Sequence, residues 1–227
     1  MTTRPTSVDV TVQVDDAALD GILHVPDAPL GLVVFAHGSG SSRFSSRNRF
    51  VARVLNDGGM ATLLFDLLTA DESRVDEQTR EYRFDIELLA RRLAGTVDWL
   101  AVRRDVARLP IGLFGASTGA AAALIAAAER SDQVAAVVSR GGRPDLAERA
   151  LARVRAPTLL IVGSLDGVVI DMNRSAAAAL TCAHRVQIVR GATHLFEEPG
   201  KLEQVADLAR DWFGEHFAAF GARAARS

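Results

Sequence analysis

Ile111–Ala120 reads IGLFGASTGA. An apolar run stops abruptly in small residues, and Ser117 stands between Gly115 and Gly119. The run suits a strand buried on both faces. The alanine-rich stretch that follows, Thr118 to Glu129, is a strong helix former. A strand that turns directly into a helix forces an unusual backbone at the turning residue. It also leaves no room for side chains two positions either side, a demand the two glycines meet. The turn points the Ser117 hydroxyl out at the carboxyl end of the sheet, where open α/β folds hold their ligands. The helix aims its amides and dipole at any oxyanion formed beside the serine. G-x-S-x-G between strand and helix has the form of a nucleophile elbow. The competing reading is a glycine-flanked serine that only caps the helix.

Around this stretch, short apolar runs alternate with helical ones. The runs are Leu32–Ala36, Ala61–Phe65, Ile111–Gly115, Ala135–Ser139, Thr158–Val162 and Val186–Val189. Helical periodicity is clearest over Phe84–Leu100, where Phe84, Leu88, Leu89, Leu93, Val97 and Leu100 share a face. Further helices are expected at Arg49–Asn56, Thr118–Glu129, Asp145–Val154, Asn173–Leu180 and Leu202–Phe217. Upstream, Val8–Val14 alternates polar and apolar residues and pairs with Gly21–Val25 across an acidic turn. The alternation predicts one α/β domain over residues 1–227, a doubly wound, mostly parallel sheet with right-handed crossovers and helices on both faces. Leu67–Arg83 is long, polar and charged, and is expected to be a loop or mobile flap.

A serine hydroxyl needs a base. Of the five histidines, His24 lies in the early strand, His216 in the last helix and His184 ahead of the final strand, whereas His194 directly follows that strand on the same sheet edge as Ser117. His37 is expected to brace its loop. The orienting carboxylate is assigned to Asp166, just past the penultimate strand, with Asp171 and Asp145 as rivals that suit helix N-termini. Ser117, Asp166 and His194 then follow the chain order of this fold. The oxyanion donors are expected to be the backbone amides of Thr118 and of Ser39 in the loop HGSGSSR. That loop also resembles a dinucleotide fingerprint. Its third glycine would fall at Arg43, too large for close helix packing, so nucleotide binding is set aside.

The net charge of −2 gives no field of one sign, which argues against nucleic acid and acidic membranes as partners. A single cysteine, Cys182, in a late helical segment, excludes an intrachain disulfide and a thiolate metal cluster. No metal-ligand spacing and no cofactor motif is present. The first residues show no signal-peptide pattern and no apolar run spans a bilayer, so a cytoplasmic location is expected.

HGSGSS, GASTGA, SRGGRPDLA, VGSLDGVV and GATHLFEEPG occur in this order from Leu32 onward. In them the chain resembles the α/β-hydrolase superfamily, and within it the lidless, dienelactone-hydrolase-like branch. The resemblance implies an eight-stranded sheet whose second strand is antiparallel to the rest. It also implies Ser117 as nucleophile, His194 as base and Asp166 as acid. Dienelactone hydrolases proper carry cysteine at the elbow, and this chain carries serine, so a serine esterase or lactonase is implied. One helix's worth of chain separates the strands on either side of SRGGRPDLA, so no cap domain is expected. The rim should come from Ser41–Ser46, Leu67–Arg83 and Arg140–Pro144, with Arg43, Arg83 and Arg140 as candidate contacts to a substrate carboxylate. The expected partner is a small-molecule ester or lactone, and a homodimer is the one assembly considered. The same triad would also serve acyl transfer or cofactor-free perhydrolysis of the haloperoxidase kind. A non-catalytic binding protein is the third reading.

Overall fold

The computed structural model describes residues 6–14 and 17–224. The N-terminal residues 1–5 and the acidic turn at 15–16 lie outside the described residues. Eight strands form one sheet: β1 (Thr6–Val14), β2 (Ala17–Val25), β3 (Leu32–Ala36), β4 (Ala61–Phe65), β5 (Ile111–Ala116), β6 (Val134–Arg140), β7 (Thr158–Gly163) and β8 (His184–Val189). Their spatial order is β1-β2-β4-β3-β5-β6-β7-β8. β2 is antiparallel to both its neighbours, and the remaining pairs are parallel. The number of strands and the antiparallel β2 agree with the sheet that the resemblance implies.

The described helices are α1 (Ser46–Asp57), α2 (Ala70–Thr79), α3 (Ile86–Ala101), α4 (Thr118–Glu129), α5 (Gly167–Ala179) and α6 (Lys201–Ala224). They cover both faces, which is why the central strands are apolar without interruption. On one face Val33, Phe35 and Phe114 pack against Val51 and Leu55 of α1 and Val205 and Phe213 of α6. On the other, Val34 and Leu113 pack against Leu89 and Leu93 of α3 and the alanines of α4. Ala121, Ala122, Ala123, Ala126 and Ala127 are wholly buried, so α4 lies close on the sheet and has no space for larger side chains.

Several local expectations are corrected. Leu67–Arg83 is not a loop: it holds α2 and a 3₁₀ turn at Tyr82–Phe84. Thr69 and Glu72 form a reciprocal capping box, with Glu72 N–H donating to the Thr69 hydroxyl and Thr69 N–H to the Glu72 carboxylate. Glu72 is then bonded at 2.6 Å to Arg92 of α3, and Asp76 at 2.6 Å to Arg83. Phe84 precedes α3, because Asp85 caps that helix by accepting Leu88 N–H, and Phe84 is 58% exposed. The helix expected at Asp145–Val154 is 3₁₀ over Pro144–Arg153, interrupted at Glu148 by a positive φ of 42°. The connection from β6 to β7 holds no inserted domain. α5 begins at Gly167, well before Asn173, and Cys182 lies in the turn after it rather than in a helix. Among the described residues no helix is long and apolar enough to cross a membrane.

Candidate active site

β5 ends at Ala116, and Ser117 follows with φ 50° and ψ −122°. That is a sparsely populated conformation for a residue with a side chain. Its neighbours explain how it is held. A Cβ at Gly115 would sit 2.6 Å from Gly119 O, and one at Gly119 would sit 2.6 Å from His37 O. Both glycines are therefore required by contact, as the sequence predicts. Ser117 N–H donates to Arg140 O of β6, tying the elbow to the neighbouring strand. The Ser117 side chain makes no cap hydrogen bond. The N-cap reading of this serine therefore fails.

His194 sits in the loop after β8. That loop is pinned by Gly191 N–H donating to Ser164 Oγ at 2.8 Å and by Thr193 N–H donating to the Glu198 carboxylate. Leu165 N–H donates to Ala192 O, which draws the loop after β7 to the same place. His194 Nδ1 lies 2.6 Å from Asp166 Oδ2. In the neutral imidazole, Nδ1–H donating to the carboxylate leaves Nε2 free to accept a proton. The side chains are 39% and 18% exposed, so the pair is reached by water from the histidine side. Gly141, next to Arg140, lies under the ring: a Cβ there would be 3.5 Å from His194 Cε1. Ser117 and His194 are thus on one sheet edge, although Ser117 Oγ makes no hydrogen bond among the described residues.

The rival acids are committed elsewhere. Asp145 is bonded at 2.8 Å to Arg143. Asp171 is in α5, not at its start, and pairs with Arg174 at 3.8 Å.

The loop after β3 approaches the elbow closely, and a Cβ at Gly38 would lie 3.1 Å from Ser117 Cβ. Ser39 N–H, expected as an oxyanion donor, donates at 2.9 Å to Thr118 Oγ1. The Thr118 amide opens α4 and so has no partner within the helix. The Thr118 hydroxyl was not singled out in the sequence, because a side chain facing an opposite loop leaves no local pattern. His37 braces the loop as expected: Nδ1–H donates to Gly38 O at 3.0 Å and Nε2 accepts Leu67 N–H at 3.1 Å. Burial pushes the His37 imidazole below its ordinary range and keeps it neutral.

A cavity of about 500 Å³ opens beside this loop, lined by Gly38, Ser39, Ser42, Phe44, Leu67 and Leu89 among others. The volume suits a small organic ligand. Of the three arginines expected to meet substrate, two are occupied. Arg43 is paired with Asp66 and with Asp20. Arg83 is held by the Asp76 carboxylate and carbonyl. Burial opposes the charge on Asp76, but the Arg83 amide and guanidinium outweigh it and hold the carboxyl below its usual range. Of the three, Arg140 alone is without a carboxylate partner among the described residues. Among the described residues no group of three or more His, Cys, Asp or Glu side chains is placed to hold a metal ion.

The dienelactone hydrolase crystal structure from Anabaena variabilis superposes with a TM-score of 0.93 at 55% identity, covering 94% of this chain and 99% of that one. Est1E from Butyrivibrio proteoclasticus shares the fold, with a TM-score of 0.77 at 17% identity over 92% of this chain and 99% of that one. Two Mycobacterium tuberculosis proteins, from strains CDC 1551 and H37Rv, each named "Putative phosphoribosyl transferase", are 57% identical over 94% of this chain. The chain spans about half the length of these curated relatives, 47%. Residues 19–222 match the family model described as the dienelactone hydrolase family, and the chain belongs to that family.

Proposed function

We propose that the protein hydrolyses a small carboxylic ester, lactone or thioester through an acyl-enzyme on Ser117. The observation that carries this reading is the strained Ser117, held at φ 50° with no structural use for its hydroxyl. Strain of this kind costs about 1–3 kcal/mol and persists where function requires it. His194, oriented through Nδ1 by Asp166, takes the Ser117 proton on Nε2 as Oγ attacks the carbonyl carbon. The oxyanion is met by the amides of Thr118 and Ser39, the latter exchanging the Thr118 hydroxyl for the substrate oxygen. The intermediate collapses, and the leaving alkoxide or thiolate takes the proton from His194. Water then gives a proton to His194 and attacks the acyl carbon; the bond from that carbon to Ser117 Oγ breaks, Oγ takes the proton from His194, and the acid leaves. The Ser117–His194 hydrogen bond forms in the substrate complex, since such contacts tighten there.

Water access favours hydrolysis over acyl transfer to another acceptor. Leu165 and Val168, which flank Asp166 in sequence, are 66% and 69% exposed, and among the described residues no cap domain is inserted between β6 and β7. The name carried by the mycobacterial relatives belongs to proteins about twice this length. The geometry of this chain supports acyl chemistry. The test is labelling with a fluorophosphonate probe followed by peptide mass mapping. An adduct on Ser117 in the wild type, absent in Ser117→Ala and His194→Ala, is the expected result. A folded wild type without adduct overturns the proposal and moves the binding-protein reading forward.

A further inference from the structure

The cavity of about 500 Å³ lies between the loop after β3 and the segment that carries α2. Ser39, whose amide is assigned to the oxyanion, is part of its wall, so the cavity adjoins the reacting carbonyl. Leu67 and Leu89 give it an apolar side. Its serines fall into two groups. Ser42 Oγ accepts Phe44 N–H at 3.2 Å, and Ser45 Oγ caps α1 by accepting Asn48 N–H at 3.3 Å, so both are engaged in local turns. The hydroxyls of Ser39, Ser41 and Ser73 make no hydrogen bond among the described residues. Ser73, on α2, is half-buried, whereas Ser39 and Ser41 are exposed.

The charges on the wall are already matched, or negative. Arg83 Nε donates to the Asp76 carboxylate at 2.6 Å and Arg83 Nη2 to the Asp76 carbonyl at 2.8 Å. Asp76 is 3% exposed, which fixes this pair in place. Burial keeps the His37 imidazole neutral. Glu77, the remaining charged residue of the wall, has no ion-pair partner among the described residues. An anionic group entering here loses its water, finds no unpaired cation and faces Glu77. A wholly apolar group strips water from three hydroxyls and returns no hydrogen bond. A neutral group bearing hydroxyls replaces that water on both sides, because each serine both donates and accepts. Its carbon skeleton can rest on Leu67 and Leu89.

We propose that this cavity holds the uncharged, hydroxylated part of the substrate, and that the substrate class is a neutral hydroxy-lactone or hydroxylated acyl ester. The reaction rests on the hydrolase reading above; the binding does not. With a lactone, Ser117 Oγ attacks the ring carbonyl and the ring C–O bond breaks. The ring oxygen takes the proton from His194, and water then releases the open hydroxy acid from Ser117.

Three lactones on one five-membered ring test this. D-ribono-1,4-lactone carries hydroxyls, γ-butyrolactone carries none, and 5-oxotetrahydrofuran-2-carboxylate carries a carboxylate. Isothermal titration into Ser117→Ala measures binding without turnover. Ribonolactone should bind about tenfold tighter than either of the others, the effect of one or two net hydrogen bonds. Adding Ser41→Ala and Ser73→Ala should reduce its advantage over butyrolactone to about twofold or less. Glu77→Gln should narrow the gap between ribonolactone and the carboxylated lactone by several fold. Equal binding of all three, tighter binding of the carboxylated lactone, no binding of any, or a preference that survives loss of both serines overturns the proposal. Wild-type kcat/KM values, followed by acid release, should keep the same order. Turnover of butyrolactone without preference for ribonolactone overturns the proposal and leaves the hydrolase reading standing. Ribonolactone binding that needs the two serines, with no turnover of any lactone, sustains the ligand class and sinks the hydrolase reading.

Discussion

His194 Nδ1 lies 2.6 Å from Asp166 Oδ2, although the two residues belong to loops after different strands. β7 and β8 are parallel neighbours whose last residues, Gly163 and Val189, are in register, so both loops leave the sheet side by side. A Cβ at Gly163 would lie 2.6 Å from Thr193 O, and glycine is what lets the loops meet. Asp166→Asn keeps the size of the side chain and removes the charge that fixes the imidazole tautomer. Its kcat should fall by about 10³–10⁴-fold with little change in melting temperature. Steady-state kinetics on a short acyl ester would check this, and a fall below tenfold would remove Asp166 from the mechanism.

Ser117 stores strain that glycine would release. At φ 50° glycine has no Cβ penalty. Ser117→Gly should therefore be inactive yet more stable, by about 1 kcal/mol, the release of strain being partly offset by the freer unfolded chain. Urea denaturation of the two proteins measures this. A variant less stable than wild type would mean that the serine side chain holds the elbow together.

Most of the sheet and the pairing of His194 with Asp166 were legible in the sequence, and the reasons are physical. β5 is buried along its whole length, so only apolar residues serve there. Gly115 and Gly119 report contacts made by the backbone itself, which no other residue can make. The fate of Arg43 and Arg83 was not legible. Their partners Asp66 and Asp76 are ordinary acidic residues, and single ion pairs over 23 and 7 positions leave no periodic mark. Helix α2 carries no apolar periodicity in ADESRVDEQT, and the capping box of Thr69 and Glu72 is its one local mark. Arg140 looked like the other two arginines in sequence.

Glu72 anchors α2 to α3. Hydrogen bonds from Arg92 pull its carboxyl down to about 2, against some opposition from burial. A depressed folded value means stability that is present above the ordinary value of 4.5 and is lost as pH falls toward about 2. Glu72→Ala leaves the Arg92 guanidinium, 2% exposed, without this carboxylate. The cost should be about 3 kcal/mol at neutral pH. Between pH 4.5 and 2 the variant should lose less stability than wild type on acidification. Denaturant titrations across that window check both statements; identical slopes for the two proteins would show that the pair is not linked to folding.

His37 gives a pH dependence in a milder range. It is 8% exposed, its Nε2 accepts Leu67 N–H, and burial drives its pKa below the ordinary 6.5. On acidification the unfolded chain binds the imidazole proton first. The stability owed to neutral His37 is therefore complete above pH 6.5 and declines as pH falls below it. Protonation would also break the bond to Leu67, at the head of the segment that carries α2. His37→Phe should remove this part of the slope. It should also cost about 1–3 kcal/mol at pH 8, because the buried Leu67 amide loses its acceptor. Unfolding free energies at pH 8 and pH 5.5 separate the two effects. A variant that keeps the wild-type slope would assign the pH dependence to His216, whose pKa burial also lowers.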